Sequence, residues 1–250
     1  MPEAGATTIL PRPDHGRVFE AGRRVRLADV DLRGRCRLDA TARYLQDVAR
    51  DDSADGALPE ALTWVVRRTL LYVHRSARFE EWLDIATWCS GYGSRWAERR
   101  TDLRGEHGAH VEAVTIWVFV DAESGRPSPL PDGFHQLWGE TAGDRRVSAR
   151  TTLPTTWPAE AREEPWHVRY SDLDVLAHVN NAAHWTAVEE AIDHVGMGRG
   201  RLRAELEHGA GVDRGADVRL RWIAVDQGVD AWLTVDGTSG SVASVRPLPR

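Results

Sequence analysis

The chain has 250 residues, 42% of them hydrophobic, and a formal net charge of -6. That length holds one large domain or two of ordinary size, and the negative charge argues against a protein that grips nucleic acid through its backbone. No apolar run approaches the roughly 18 residues that cross a bilayer, so no membrane span is expected.

Residues 1–15 lack a charged-then-apolar leader and read as a short tail. Cys36 and Cys89 show neither a zinc spacing nor a disulfide framework, so a reducing cytoplasm is the expected location. Eleven tryptophans suit broad sheet faces or a long apolar pocket, and core packing accounts for most such rings. Residues 17–27 alternate in part through Val18, Phe19, Val25 and Leu27 and predict a strand. Residues 29–35 are turn-like. Leu38, Ala42, Leu45 and Val48 then recur at helical spacing, with Asp39 in the first turn, where the helix dipole favours negative charge. Residues 51–56 are expected to end that helix. Four strands follow, at 63–74, 82–92, 95–104 (charged, with one exposed face) and 110–121, the strongest in the chain. Residues 139–165 are polar, contain Pro154, Pro158 and Pro165, and read as a linker. Beyond it a strand ends at 167–170, a helix spans 181–195, and strands follow near 201–208, 217–225, 229–235 and 242–245.

One order of elements therefore occurs twice. A shift of about 143 positions lays Val25-Arg26 on Val168-Arg169, Asp29 on Asp172, Asp31 on Asp174, Leu45 on Val188 and Asp47 on Glu190. The expected fold class is α+β, with two units, each a long helix wrapped by an antiparallel sheet. The units are placed at 16–138 and 166–248, around the linker at 139–165.

Two carboxylates, an imidazole and two amides crowd the run Ser171-Asp172-Leu173-Asp174-Val175-Leu176-Ala177-His178-Val179-Asn180-Asn181. A carboxylate serves as base or nucleophile, and an imidazole four residues on can reach the same centre. Unpaired N–H groups at a helix start hold an oxyanion, which points to Val179, Asn180 and Asn181. Asp174 and His178 are therefore the candidate catalytic pair for thioester hydrolysis, while helix capping competes for the two asparagines. The first copy carries Arg35 in place of His178 and Leu38 in place of Asn181, so it reads as a decayed, substrate-shaping half. Glu189 and Glu190 read as solvent-facing, and Cys89 as core. His184 and His194 have no partner at a zinc spacing, and no phosphate loop or nucleophile elbow is present, so neither metal nor cofactor is expected.

The same run resembles the signature of plant and bacterial acyl-ACP thioesterases, which are double hotdog proteins. The likeness spans roughly residues 16–245. Arg37-Leu38-Asp39-Ala40 with Tyr44-Leu45-Gln46-Asp47-Val48-Ala49 resembles the family's first hotdog helix. Trp64-Val65-Val66-Arg67-Arg68, Ala86-Thr87-Trp88, Glu98-Arg99-Arg100 and Trp117-Val118-Phe119-Val120 resemble its strands. The resemblance implies tandem hotdog domains, no cofactor, and hydrolysis of fatty acyl-ACP to free fatty acid and acyl carrier protein (ACP). It matches the family's aspartate to Asp174 and its histidine to His178. Two departures stand out. Leu176 replaces an asparagine of the plant enzymes, and the stretch Ala210-Gly211-Val212 lacks their acidic residue and adjoining cysteine. Water activation by Asp174, assisted by His178, is the expected mechanism, with a covalent anhydride on Asp174 as the alternative. Because ACP is acidic, Arg67, Arg68, Arg99 and Arg100 are candidate carrier-binding residues. An acyl-CoA thioesterase and a non-catalytic acyl-binding protein remain open, as do a monomer and a homodimer.

Overall fold

The computed structural model describes residues 9–56, 63–121, 123–209 and 211–249; the start of the tail and Ala210 lie outside them. In chain order the elements are β1 (Phe19–Arg24), α1 (Leu38–Asp55), β2 (Thr63–Arg75), β3 (Trp82–Tyr92), β4 (Trp96–Gly105), β5 (His110–Val120), α2 (Phe134–Ala142), β6 (Arg162–Pro165), α3 (His184–His194), β7 (Leu202–His208), β8 (Val218–Val225), β9 (Gly228–Val235) and β10 (Thr238–Pro247). The strands form one antiparallel sheet in the order β1-β3-β4-β5-β2-β7-β10-β9-β8-β6.

That order is a mirror image about the β2–β7 seam. There Arg68 faces Glu207, Leu70 faces Glu205 and Tyr72 faces Arg203. Leu38, Ala42, Leu45 and Val48 of α1 join Trp185, Val188, Ala191 and Ile192 of α3 in a single core that also takes Leu71, Leu103, Leu206 and Leu220 from the sheet. Fully buried rings and branched chains of this kind each contribute about 1.5–3 kcal/mol of transfer free energy. α1 and α3 pack against each other, so the two loops that precede them are held by the same core.

Four sequence expectations are corrected. α1 runs to Asp55 because its acidic end is internally paired. Buried Asp52 meets Arg17 Nε at 2.7 Å, an Arg99 nitrogen at 2.7 Å and Trp138 Nε1 at 3.0 Å. β4 is not exposed on its charged face, since Glu98 and Arg100 pair at 3.1 Å and Arg145 reaches Glu98 at 2.7 Å. The polar linker begins inside α2, which seats Phe134 and Trp138 against Cys89, Tyr92 and Ala97. Further along it is tied down, as Thr152 and Leu153 donate N–H groups to the Glu207 carboxylate at 2.7 and 2.9 Å. The strand expected at 167–170 lies earlier, at β6, and a single 3-10 turn, Tyr170–Asp172, follows the extended residues between them.

Candidate active site

The loop before α3 is built by its own polar groups. Asp172 accepts the Arg169 N–H at 2.8 Å, closing the 3-10 turn. Asp174 N–H donates to the His178 carbonyl at 2.9 Å, and the Asp174 carboxylate accepts the Leu176 N–H at 2.9 Å. Ala177 completes the turn with φ of 62°, a left-handed conformation that glycine adopts at lower cost. The Asn180 side chain accepts the Ala182 N–H at 2.8 Å, a local turn that occupies the first-turn position and delays α3 to His184.

The loop before α1 repeats these bonds. Asp29 accepts from Arg26 N–H at 2.8 Å, Asp31 N–H donates to the Arg35 carbonyl at 2.8 Å, and the Asp31 carboxylate accepts the Arg33 N–H at 2.8 Å. Gly34, φ of 71°, stands where Ala177 stands. The chemistry is different. Asp31 is engaged by the Arg35 guanidinium at 2.9 Å, and these bonds hold its carboxyl below the ordinary range despite burial.

In the second loop His178 turns to a partner that the sequence reading missed. Its Nε2 lies 3.2 Å from Asp213 Oδ1, and the two residues form a strand bridge. Asp213 is one position beyond the stretch in which an acid was sought. The repeat locates it only once the strand bridges are known. Arg35 bridges Arg78 in the first copy as His178 bridges Asp213 in the second, so the offset of 143 at the loop falls to 135 past the helix. Gly211 leaves room for the imidazole: a Cβ there would sit 3.1 Å from His178 Nδ1. His178 and Asp213 are both exposed, whereas Asp174 is half-buried.

Of the three N–H groups expected to face an oxyanion, two are used within the fold. Val179 donates to Val212 at 2.9 Å and Asn180 to Asp172 at 2.8 Å. The Asn181 N–H donates to no group among the described residues. Its counterpart in the first copy, the Leu38 N–H, is capped by Glu189 Oε1 of α3 at 2.6 Å. Glu189 is thus buried and paired with Arg199, not solvent-facing. The residue corresponding to Glu189 is Gln46. Gln46, Asn181, Trp185 and His208 line a small cavity, which shares Gln46 and Trp117 with a cavity of about 170 Å³ walled by Trp64, Cys89, Phe134 and Trp138.

Behind the loop His184 and His208 meet edge-on at 4.9 Å, and His184 Nδ1 lies 3.1 Å from Ser241 Oγ. Burial pushes His184 down to about 4 and His208 well below its ordinary value, so both are neutral. Burial likewise pushes the thiols of Cys36 and Cys89 up, to about 12 and about 11. The four arginines do not form an outward basic face. Arg67 donates to the His208 carbonyl, Arg68 pairs with Glu205, Arg99 with Asp52 and Arg100 with Glu98.

Residues 16–138 match the acyl-ACP thioesterase N-terminal domain, and residues 156–238 match the C-terminal domain. The chain belongs to the acyl-ACP thioesterase family. Uncharacterized protein Rv2001 of Mycobacterium tuberculosis (strain H37Rv) is 29% identical over 242 residues, covering 96% of each chain. The 12:0-ACP thioesterase from Umbellularia californica is similar in fold, with a TM-score of 0.77 at 20% identity over 94% of this chain and 99% of that one. An acyl-ACP thioesterase from Bacteroides thetaiotaomicron gives a TM-score of 0.76 at 17% identity over 91% and 96%. This acyl-ACP thioesterase family member thus shares the α+β architecture of those proteins, a large antiparallel sheet with few helices.

Proposed function

We propose that the protein hydrolyses the thioester of fatty acyl-ACP, releasing free fatty acid and ACP, on two hotdog units of which the second is catalytic. One observation carries this reading. In the first unit a carboxylate oxygen sits on the Leu38 N–H, and in the second the corresponding Asn181 N–H is open beside an apolar cavity. At the Leu38 N–H the first unit thus holds a carboxylate oxygen lent by α3 of the second unit, which supports a negatively charged oxygen at the corresponding Asn181 N–H.

The acyl chain would lie in the cavity under Trp64 and Trp138, with the thioester oxygen on the Asn181 N–H and the Gln46 amide as second donor. Donors aimed at a forming oxyanion contribute about 10²–10³ in rate each. His178, oriented by Asp213, takes a proton from water as the water oxygen bonds to the carbonyl carbon. Collapse of the tetrahedral intermediate breaks the C–S bond, and the imidazolium returns the proton to the thiolate. Asp174, the base expected from the sequence, fixes the turn by accepting the Leu176 N–H and in this reading shares the activation of the water with His178 through its other oxygen. Exposed Tyr170, Val175 and Leu176, flanked by Arg169 and by Arg214 over the Tyr170 ring, offer an acidic carrier a mixed apolar and basic landing in place of the four internal arginines.

Thiol release from a panel of acyl-ACPs and acyl-CoAs tests the reading. Release from acyl-ACP is expected, with a fall of about 10²–10⁴ in Asp174→Ala and His178→Ala and at least about tenfold in Asp213→Ala. A Cys36→Ser, Cys89→Ser double variant should stay active. Preference for acyl-CoA would move the substrate to the second reading. Absence of release from either carrier would indicate an acyl-binding protein, and release that survives both substitutions would remove the site from Asp174 and His178. With both units in one chain a monomer is the simplest assembly; light scattering distinguishes it from a homodimer.

A further inference from the structure

A second constellation lies on the sheet face turned away from α1 and α3. Strand alternation puts Val73, Leu103 and Val111 into the core, so His74, Asp102, His110 and Glu112 point the other way. Register brings them together: Glu112 faces Asp102 across β4–β5, and His110 faces Arg75 across β2–β5. The β2–β5 register shifts between Val73 and Arg75, which makes His74 the extra, bulged residue. Bulges re-aim side chains, and this one lays the His74 ring over His110, with centroids 4.4 Å apart and planes 23° from parallel.

The donor atoms converge. His74 Nε2 is 2.7 Å from Glu112 Oε2, His110 Nε2 is 3.7 Å from the same oxygen, and His110 Nε2 is 3.6 Å from Asp102 Oδ1. His74, His110 and Glu112 offer ligand atoms that all lie within 4.8 Å of one another. Two of the atoms are orphans: His110 Nε2 and Asp102 Oδ1 are buried and have no hydrogen-bond partner. Buried polar atoms normally find partners, so two that point at one spot call for a group between them.

We propose that His74, His110 and Glu112 form a binding site for one divalent transition cation, with Zn²⁺ as the best fit, and that Asp102, 3.6 Å from His110 Nε2 but outside that three-residue group, swings in as the fourth ligand. Metal–ligand bonds of about 2.0–2.2 Å in a tetrahedron put neighbouring donors roughly 3.3 Å apart, and the three spacings here straddle that value. Two imidazoles with two carboxylates suit a borderline cation over Mg²⁺ or Ca²⁺, which favour all-oxygen sets. The other Asp102 oxygen is held by Arg104 Nε at 3.0 Å, which orients the carboxylate as outer-shell partners of metal ligands do. The ion would pin β2, β5 and β4 from outside, remote from the acyl cavity under α1. A sequence search does not see such a site, because its ligands come from three strands and only His110 and Glu112 are close in the chain.

Equilibrium dialysis of tag-free, chelator-treated protein against Zn²⁺ tests this, with X-ray absorption spectra of the loaded protein reading the ligand set. One ion per chain with two imidazole ligands is expected. Zinc affinity should fall at least about tenfold in His74→Ala and in Glu112→Gln, the second being a nearly isosteric change that keeps the fold. Unchanged stoichiometry and affinity in a His74→Ala, His110→Ala double variant, or no zinc bound by the wild type at about 100 μM, would overturn the site. The readout is metal binding, so its failure says nothing against thioester hydrolysis, and the reverse holds equally.

Discussion

At the scale of single residues, the two loops work as a natural substitution experiment. Glu189 against the Leu38 N–H and Gln46 in the cavity that Asn181 lines differ by one carboxylate oxygen for one amide NH2 group. Gln46→Glu should therefore close the second site as Glu189 closes the first. A carboxylate on that N–H would compete with the developing oxyanion, and kcat should fall about 10²–10³-fold, with the unfolding midpoint little changed. Steady-state rates with one acyl-ACP, set beside a urea melt, check both halves of that statement. Asp174 and His178 stand out as candidates in the sequence because they are only four positions apart. Asp213 does not, because its approach to His178 depends on a strand bridge across 35 positions of chain that no local pattern reveals.

At the scale of elements, β2 to β5 and β7 to β9 are legible to within a residue or two from their β-branched and apolar content, whereas β6 lies five residues before the expected strand and β10 begins four residues earlier than expected. The helix ends are less legible. Sequence propensity ends α1 at its acidic run, but Arg17, Arg99 and Trp138 satisfy Asp52 and let the helix continue. The start of α1 is likewise decided at a distance, by Glu189 of α3. Removing that cap leaves a buried N–H and the Arg199 charge without their partner, so Glu189→Ala should cost about 3 kcal/mol in urea-induced unfolding. Glu189→Gln, which can still accept from the N–H, should cost less. Equal losses in the two variants would assign the effect to the ion pair alone.

At the scale of the whole molecule, stability should depend on pH in a defined sense. His184 and His208 are held neutral by burial, with His184 at about 4, while the unfolded chain takes up these protons from about 6.5 downward. The unfolded state therefore binds more protons between those values, and stability is full above about pH 6.5 and is lost as pH falls toward 4. For His184 the span corresponds to roughly 3 kcal/mol. Urea midpoints between pH 7 and pH 4.5 should fall less steeply in His184→Gln than in the wild type; parallel curves would show that the buried pair is not responsible.

The reciprocal placement of Glu189 and Gln46 has a consequence for how this chain changes over generations. The Leu38 N–H is capped by a side chain from the opposite repeat and Gln46 lines the cavity beside Asn181, so neither repeat can drift alone. Placing His at 35 and Asn at 38 would not by itself open the Leu38 N–H, because Glu189, which occupies it, belongs to the other half of the chain.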